Sequence, residues 1–187
     1  EYVAARLAEA GLEPVLLESA PGRANVVARI GGAGGPGSDE AGAGALLLHG
    51  HLDVVPADPA DWSVHPFSGE IRDGVLWGRG AVDMKNADAV LIALAAEWAR
   101  SGRRPQRDIV LAFTADEEDT AAFGAQWLVE RYPELFEGCT EAIGESGAFT
   151  FHAGAGQRLY PIASAERGTA WLKLTARGRA GHGSKPN

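Results

Sequence analysis

A single cysteine, Cys139, and a single methionine occur among the 187 residues. One thiol can close no internal disulfide and cannot build a cysteinate zinc cluster, so a reducing compartment is expected. Basic residues are outnumbered, 17 Lys and Arg against 25 Asp and Glu, leaving a net charge of −8. Without a basic face the chain has nothing to hold a polyanion, which excludes nucleic acid and anionic membrane surfaces as partners. No apolar stretch approaches the roughly 18 residues of a membrane-spanning helix, and no basic segment followed by a hydrophobic one opens the chain. A cytoplasmic protein acting on a small molecule or another protein is expected.

What is present suits a folded domain. Hydrophobic residues make up 45% of the chain, enough for a real core at this length. Residues 1–10 have helical spacing, and 12–19 and 24–30 read as strands around the turn at Pro21 and Gly22. Residues 31–45 are glycine-rich but lack the Lys-Ser/Thr ending and the following helix of a phosphate-cradling loop. A nucleotide-binding α/β domain is therefore disfavoured, and a surface connection is expected there.

Residues 45–55 (ALLLHGHLDVV) form the first strongly buried strand, and 74–80 a short one. Between 84 and 101, Val90, Leu94 and Trp98 recur at i, i+4 and i+8, with Leu91 and Ala95 beside them, which predicts one buried helical face. Residues 108–118 (DIVLAFTADEE) are again an apolar strand ending in acids, 123–132 are helical, and 141–146 (EAIGES) form a third strand closed by an acid. This alternation predicts an α/β fold, a mixed, mostly parallel sheet flanked by helices, with its site outside the carboxyl ends of the strands. Ala170, Leu172 and Leu174 alternate instead, as in a half-exposed antiparallel strand. The expected domains are 1–166 and, from 167 to 187, the start of a second, smaller one.

The strand exits carry the chemistry. His51 and Asp53, two apart on a strand, project to the same side, and a carboxylate there can hold an imidazole's tautomer as it does beside metal-bound histidines. An H-x-D pair also arises by chance in a chain with five histidines. Asp83, just before the amphipathic helix, is equally placed to cap its first-turn amides. In 114–120 (TADEEDT) four acids, Glu117 and Glu118 among them, follow a buried strand, with a solvated acidic loop as the alternative. Convergence of His51, Asp83, Glu118 and Glu145 on one rim would decide the matter. Two carboxylates about 4 Å apart repel by roughly 4 kcal/mol at an effective dielectric near 20, more than a domain can absorb several times over without cations. Imidazole with carboxylates suits zinc, with cobalt or manganese as alternatives, and one bridging aspartate suits a two-metal site.

In this order, HGHLDVVP (49–56), GRGAVDMK (78–85), FTADEE (113–118), GES (144–146) and GRAGHGSKP (178–186) resemble the dinuclear zinc metallopeptidase family that contains glutamate carboxypeptidase, acetylornithine deacetylase, succinyl-diaminopimelate desuccinylase and aminoacylase. The weight lies in the five ordered motifs together. The resemblance implies a zinc exopeptidase-like catalytic domain, with the first strand of an α+β lid and dimerisation domain at the C-terminus. It also implies a metal-dependent hydrolase of amide or peptide bonds, an exopeptidase of carboxypeptidase type or an N-acyl amino acid deacylase, acting on a small peptide or N-acyl amino acid with two divalent metal ions. Position by position, His51 binds one metal, Asp83 bridges both, Glu118 binds the second and Glu145 completes the first. Asp53 orients His51, and Glu117 is the general base for the metal-activated water. His182 of the lid motif reaches into a partner subunit's site and steadies the oxyanion, hence a homodimer through the lid. A cis peptide between Asp83 and Met84 belongs to the same pattern. His49 has no matched family position and reads as structural.

Two departures matter. Asn86 stands where relatives often have glycine, a minor change. The family's second metal also takes a histidine from the far C-terminal part of the catalytic domain, whereas the sequence stops at Asn187, inside the lid motif. A fragment of a longer enzyme is expected, with weak or no hydrolysis by these residues alone. A non-catalytic metal-binding or dimerisation module is the alternative; it would keep the acids but need no unligated glutamate.

Overall fold

The computed structural model describes residues 1–34, 44–146, 150–162, 164, 170, 172–175, 177, 178 and 184. His182 and most of the glycine-rich connection lie outside the described residues. The chain divides into two units, Glu1–Glu145 and Ser146–Asn187.

In the first unit the order is α1 (Tyr2–Glu9), β1 (Val15–Ala20), β2 (Arg23–Ile30), β3 (Ala45–His51), β4 (Ile71–Arg72), β5 (Val75–Leu76), α2 (Asn86–Ser101), β6 (Ile109–Thr114), α3 (Ala125–Arg131) and β7 (Cys139–Ile143). The main sheet runs β1-β2-β6-β3-β7. It is mixed: β1 and β2 are antiparallel, β2 is antiparallel to β6, and β3 runs parallel to both β6 and β7. Every residue of β6 is buried, because helices cover both faces of the sheet at its centre; such strands read as continuous apolar runs rather than alternating ones.

The two-residue strand period sorts side chains into two layers. Val26, Ala28, Ile30, Leu48, Ile109, Leu111 and Phe113 meet Val3 and Leu7 of α1 and Ala95 of α2. On the other face Val27, Ala45, Val110 and Ala112 meet Leu128 of α3, with Trp127 and Tyr132 at the margin. Burying side chains such as Phe113 and Leu111 contributes about 1.5–3 kcal/mol each.

The inward face of α2 differs from the expected one. Leu91, Ile92, Ala95 and Trp98 pack on the core, whereas Val90 is 64% exposed and Leu94 lies at the edge. Residues 89–96 are all apolar, so spacing alone selects no face. Small, fully buried Ala95 marks where the helix meets the sheet. The expected strand at 74–80 shrinks to β5, paired with β4 in a hairpin.

The second unit contains the hairpin β8 (Phe151–His152) and β9 (Arg158–Leu159). Ala170, Leu172 and Leu174 are not in a strand, against expectation. The two leucines are almost wholly exposed, and among the described residues no neighbouring strand pairs with them, so their alternation has no sheet to serve. No helix among the described residues is long and apolar enough to cross a membrane.

Candidate metal centre

Because β6, β3 and β7 are parallel neighbours, their carboxyl ends open on one edge, which gathers His51, the 115–124 loop and Glu145. His51 ends β3 fully buried, opposite Thr114. Its Nδ1 lies 3.0 Å from the Asp53 carbonyl oxygen; a proton there leaves the Nε2 lone pair facing the rim. Around Nε2 stand Asp83 Oδ1 at 3.0 Å, Glu145 Oε2 at 3.7 Å and Glu117 Oε2 at 3.9 Å.

Asp83 arrives on the irregular turn Ala81–Lys85. Gly80 opens this turn at φ +79°, and a Cβ there would lie 2.4 Å from Val54 Cγ1, so only glycine fits. The Asp83–Met84 peptide is cis. Buried Met84 places its sulfur 3.3 Å from the His51 backbone N–H, which donates to it, and Lys85 Nζ donates to the Leu52 carbonyl at 2.6 Å. Both contacts dock the turn against the end of β3. Asp83 is not a helix cap: α2 begins at Asn86 and has no side-chain cap at its N-terminus.

The carboxylate of Asp53 approaches the His51 ring only to 3.6 Å. It accepts instead from the backbone N–H groups of Glu117 and Glu118, each at 3.1 Å. Residue 53 therefore touches the imidazole through its carbonyl and the acidic loop through its side chain. Glu118 Oε1 accepts from Val55 N–H at 3.3 Å. Two overlapping donor sets result, His51 with Glu117 and Glu145, and His51 with Asp83 and Glu118; within each, the ligand atoms all lie within 4.8 Å of one another. Of the sequence-predicted residues, His51, Asp83, Glu117, Glu118 and Glu145 thus meet around one ring, but Glu117, read from sequence as the base, sits among the donors.

At such a separation two carboxylates repel by about 3 kcal/mol or more at an effective dielectric near 20. Among the described residues no lysine or arginine forms an ion pair with Asp83, Glu117, Glu118 or Glu145; His51 is the cationic partner of three of them. Burial alone would lower the pKa of His51, but the hydrogen bond to Asp83 and the charges of Glu117 and Asp53 outweigh it, and the net shift is upward. Glu145 is raised by burial and then by the negative charges of Asp83 and Glu117. One nitrogen donor among crowded carboxylates that no lysine or arginine of the described residues pairs with fits a divalent cation of the zinc, cobalt or manganese type. His49 is hydrogen-bonded to Thr114 Oγ1 at 3.1 Å, and burial followed by the charge of His51 lowers its pKa, as suits a structural residue.

Sequence reasoning missed Asn25, Asp116 and Thr120, which support the acidic loop from inside. Asp116 is buried at φ +65° and accepts from Thr120 Oγ1 and Phe123 N–H. Among four consecutive acids nothing in the sequence singles it out. Asn25 shares the strand period of buried Val27, and a polar residue at a core-facing position is a readable signal.

Residues 47–182 match the model of peptidase family M20/M25/M40. Succinyl-diaminopimelate desuccinylase of Methylorubrum populi is 37% identical over 196 aligned positions, covering 100% of this chain and 46% of that protein. The N-fatty-acyl-amino acid synthase/hydrolase PM20D1 of Xenopus tropicalis is 34% identical over 142, covering 75% and 28%. Human carnosine dipeptidase 1 superposes with a TM-score of 0.62 at 22% identity, over 76% of this chain and 31% of that one. The metallo-carboxypeptidase Sso-CP2 of Sulfolobus solfataricus superposes with a TM-score of 0.60 at 21% identity, over 78% and 31%. At these identities the structures speak for the fold. The chain spans less than half the length of the curated relatives it matches. From the family match over most of its length, this chain belongs to peptidase family M20/M25/M40.

Proposed function

We propose that this chain carries the metal-holding part of a hydrolase of amide or peptide bonds, with a small peptide or N-acyl amino acid as substrate. In this reading His51, Asp83, Glu118 and Glu145 would together hold two divalent ions, zinc in the first instance. The observation that carries it is the buried imidazole of His51 with three carboxylate oxygens within 3.9 Å of Nε2 and no lysine or arginine to neutralise them among the described residues. The relatives named as a desuccinylase and an N-fatty-acyl-amino acid synthase/hydrolase support an acylated amino acid as substrate.

The chemistry supplied by divalent ions bound there is Lewis acidity, which polarises the scissile carbonyl and lowers the pKa of the attacking water. The Asp53 carbonyl keeps a proton on His51 Nδ1 and frees Nε2 for ligation. Glu117, partly exposed beside the ring, takes a proton from the attacking water on its carboxylate and passes it to the leaving nitrogen. Asp53, by holding the amides of Glu117 and Glu118, sets where both side chains start. A lid-mediated homodimer, in which His182 serves the partner's site, the domain limits 1–166 and 167–187, and a cytoplasmic setting belong to the same proposal.

The test is Glu117→Gln in the full-length protein. A general base predicts a fall in kcat of about 100-fold or more with metal affinity unchanged. Unchanged activity would sink the base assignment and favour a non-catalytic metal-binding module. The grouping of Glu117 with His51 and Glu145 supports a second reading in which Glu117 is itself a ligand, and metal affinity falling in step with activity would select it.

A further inference from the structure

The loop bearing Glu117 and Glu118 runs from Ala115 to Gly124 and closes on itself. A Cβ on Gly124 would lie 1.8 Å from the Ala115 carbonyl oxygen, so the two ends of the loop touch backbone to backbone. One side chain spans this neck. Asn25, fully buried in β2, accepts from Ala115 N–H through Oδ1 at 2.9 Å and donates through Nδ2 to the Phe123 carbonyl at 3.0 Å and the Leu17 carbonyl at 3.4 Å. Two of these bonds go to the loop and one to β1. Ser19 Oγ adds a donor to the same Phe123 carbonyl at 2.6 Å.

Beyond the neck, the loop is organised around Asp116. Its carboxylate turns into the loop to accept from Thr120 Oγ1 at 3.0 Å and Phe123 N–H at 3.3 Å, and its carbonyl accepts from Ala121 N–H at 2.6 Å. The next two amides, of Glu117 and Glu118, are held by the carboxylate of Asp53. Glu117 and Glu118 are therefore presented from a short backbone segment anchored on both flanks. A buried amide is costly unless its groups are satisfied, and at position 25 most of that satisfaction comes from the loop rather than the sheet.

We infer that Asn25 is a positioning residue of the metal centre: its amide locks the neck of the 115–124 loop, so that Glu117 and Glu118 meet His51 at fixed spacing. This rests on the proposed metal site. Asn25 is hydrogen-bonded to none of the proposed ligands and acts through the backbone alone. Partners that orient a metal-binding group from outside typically change affinity by about 10- to 100-fold when removed.

The experiment compares Asn25→Ala with Val27→Ala, a core variant on the same strand, in the full-length protein. Zinc affinity is read by competition with a chromophoric chelator, and site geometry by the visible spectrum of the cobalt(II) form. Asn25→Ala is expected to weaken zinc binding by at least about 10-fold and to alter the cobalt spectrum, while Val27→Ala lowers the melting temperature and changes neither. Wild-type affinity and spectrum in Asn25→Ala would overturn the inference. Absence of zinc binding in the wild type would instead remove the proposed function beneath it. Should Asn25→Ala not fold, amide exchange in the wild type decides: Ala115, Glu117 and Glu118 are expected to be protected together, and unprotected exchange at Ala115 would refute the clamp.

Discussion

Asp88 lies on the inward side of α2, 4% exposed, and neither carboxylate oxygen has a hydrogen-bond partner among the described residues. Burial pushes its pKa from an ordinary 3.8 up to about 6, against the opposing pull of Lys85 and His51. Asp88→Asn keeps the shape and removes the ionisation. Between pH 3.8 and about 6 the folded carboxyl holds a proton that the unfolded one has lost, so the contribution of Asp88 to wild-type stability falls as pH rises through this window. Above the folded pKa the penalty is complete, about 3 kcal/mol at 1.36 kcal/mol per pKa unit. Asparagine does not titrate. The stability of the variant minus that of the wild type should therefore rise by about 2–3 kcal/mol between pH 4 and pH 7.5. A constant offset from a buried amide cancels in that comparison, as do all groups shared by the two proteins. Urea unfolding at four pH values, with a chelator to keep both proteins metal-free, reads the difference directly. Parallel stability profiles would refute the reasoning, because they would mean that Asp88 ionises in the folded protein as easily as in the unfolded chain.

Asp53→Ala is expected to free the amides of Glu117 and Glu118 while leaving the backbone carbonyl on the His51 ring. Zinc affinity should fall by about 10- to 100-fold, as measured by chelator competition, and wild-type affinity would show that the loop holds itself. Gly124→Ala must push the Ala115 carbonyl aside and is expected to cost about 1–3 kcal/mol in denaturant unfolding. An unchanged midpoint would mean the neck of the loop is slack.

The strands β3 and β6 could be read from sequence because neither turns a face to solvent. The runs ALLL and IVLAF have no amphipathic alternative, and their polar exits could only lie at carboxyl ends. Parallel pairing then did what the chemistry required, bringing His51, Glu117, Glu118 and Glu145 to one edge. Where the sequence was uniform it misled. In α2 the all-apolar stretch 89–96 hid which face is buried, and the polar residue on that face, Asp88, ran against the expected pattern. Asp53 illustrates a different gap: its carboxylate does lie 3.6 Å from the His51 ring, but β3 ends at His51, and no strand period could show that the same carboxylate also accepts from the Glu117 and Glu118 amides. Asp116 was hidden by its neighbours, since inward and outward carboxylates in TADEEDT share one residue class and a single positive φ separates them.

Calorimetric titration of zinc into metal-free full-length protein, beside His51→Ala and Glu145→Gln, tests the central claim. Two zinc ions per chain are predicted for the wild type, with binding strengthening as pH rises and the proton on His51 is given up, and with at least one ion lost in each variant. No binding in the wild type, or equal binding in all three proteins, would contradict the assignment of this rim as a metal centre.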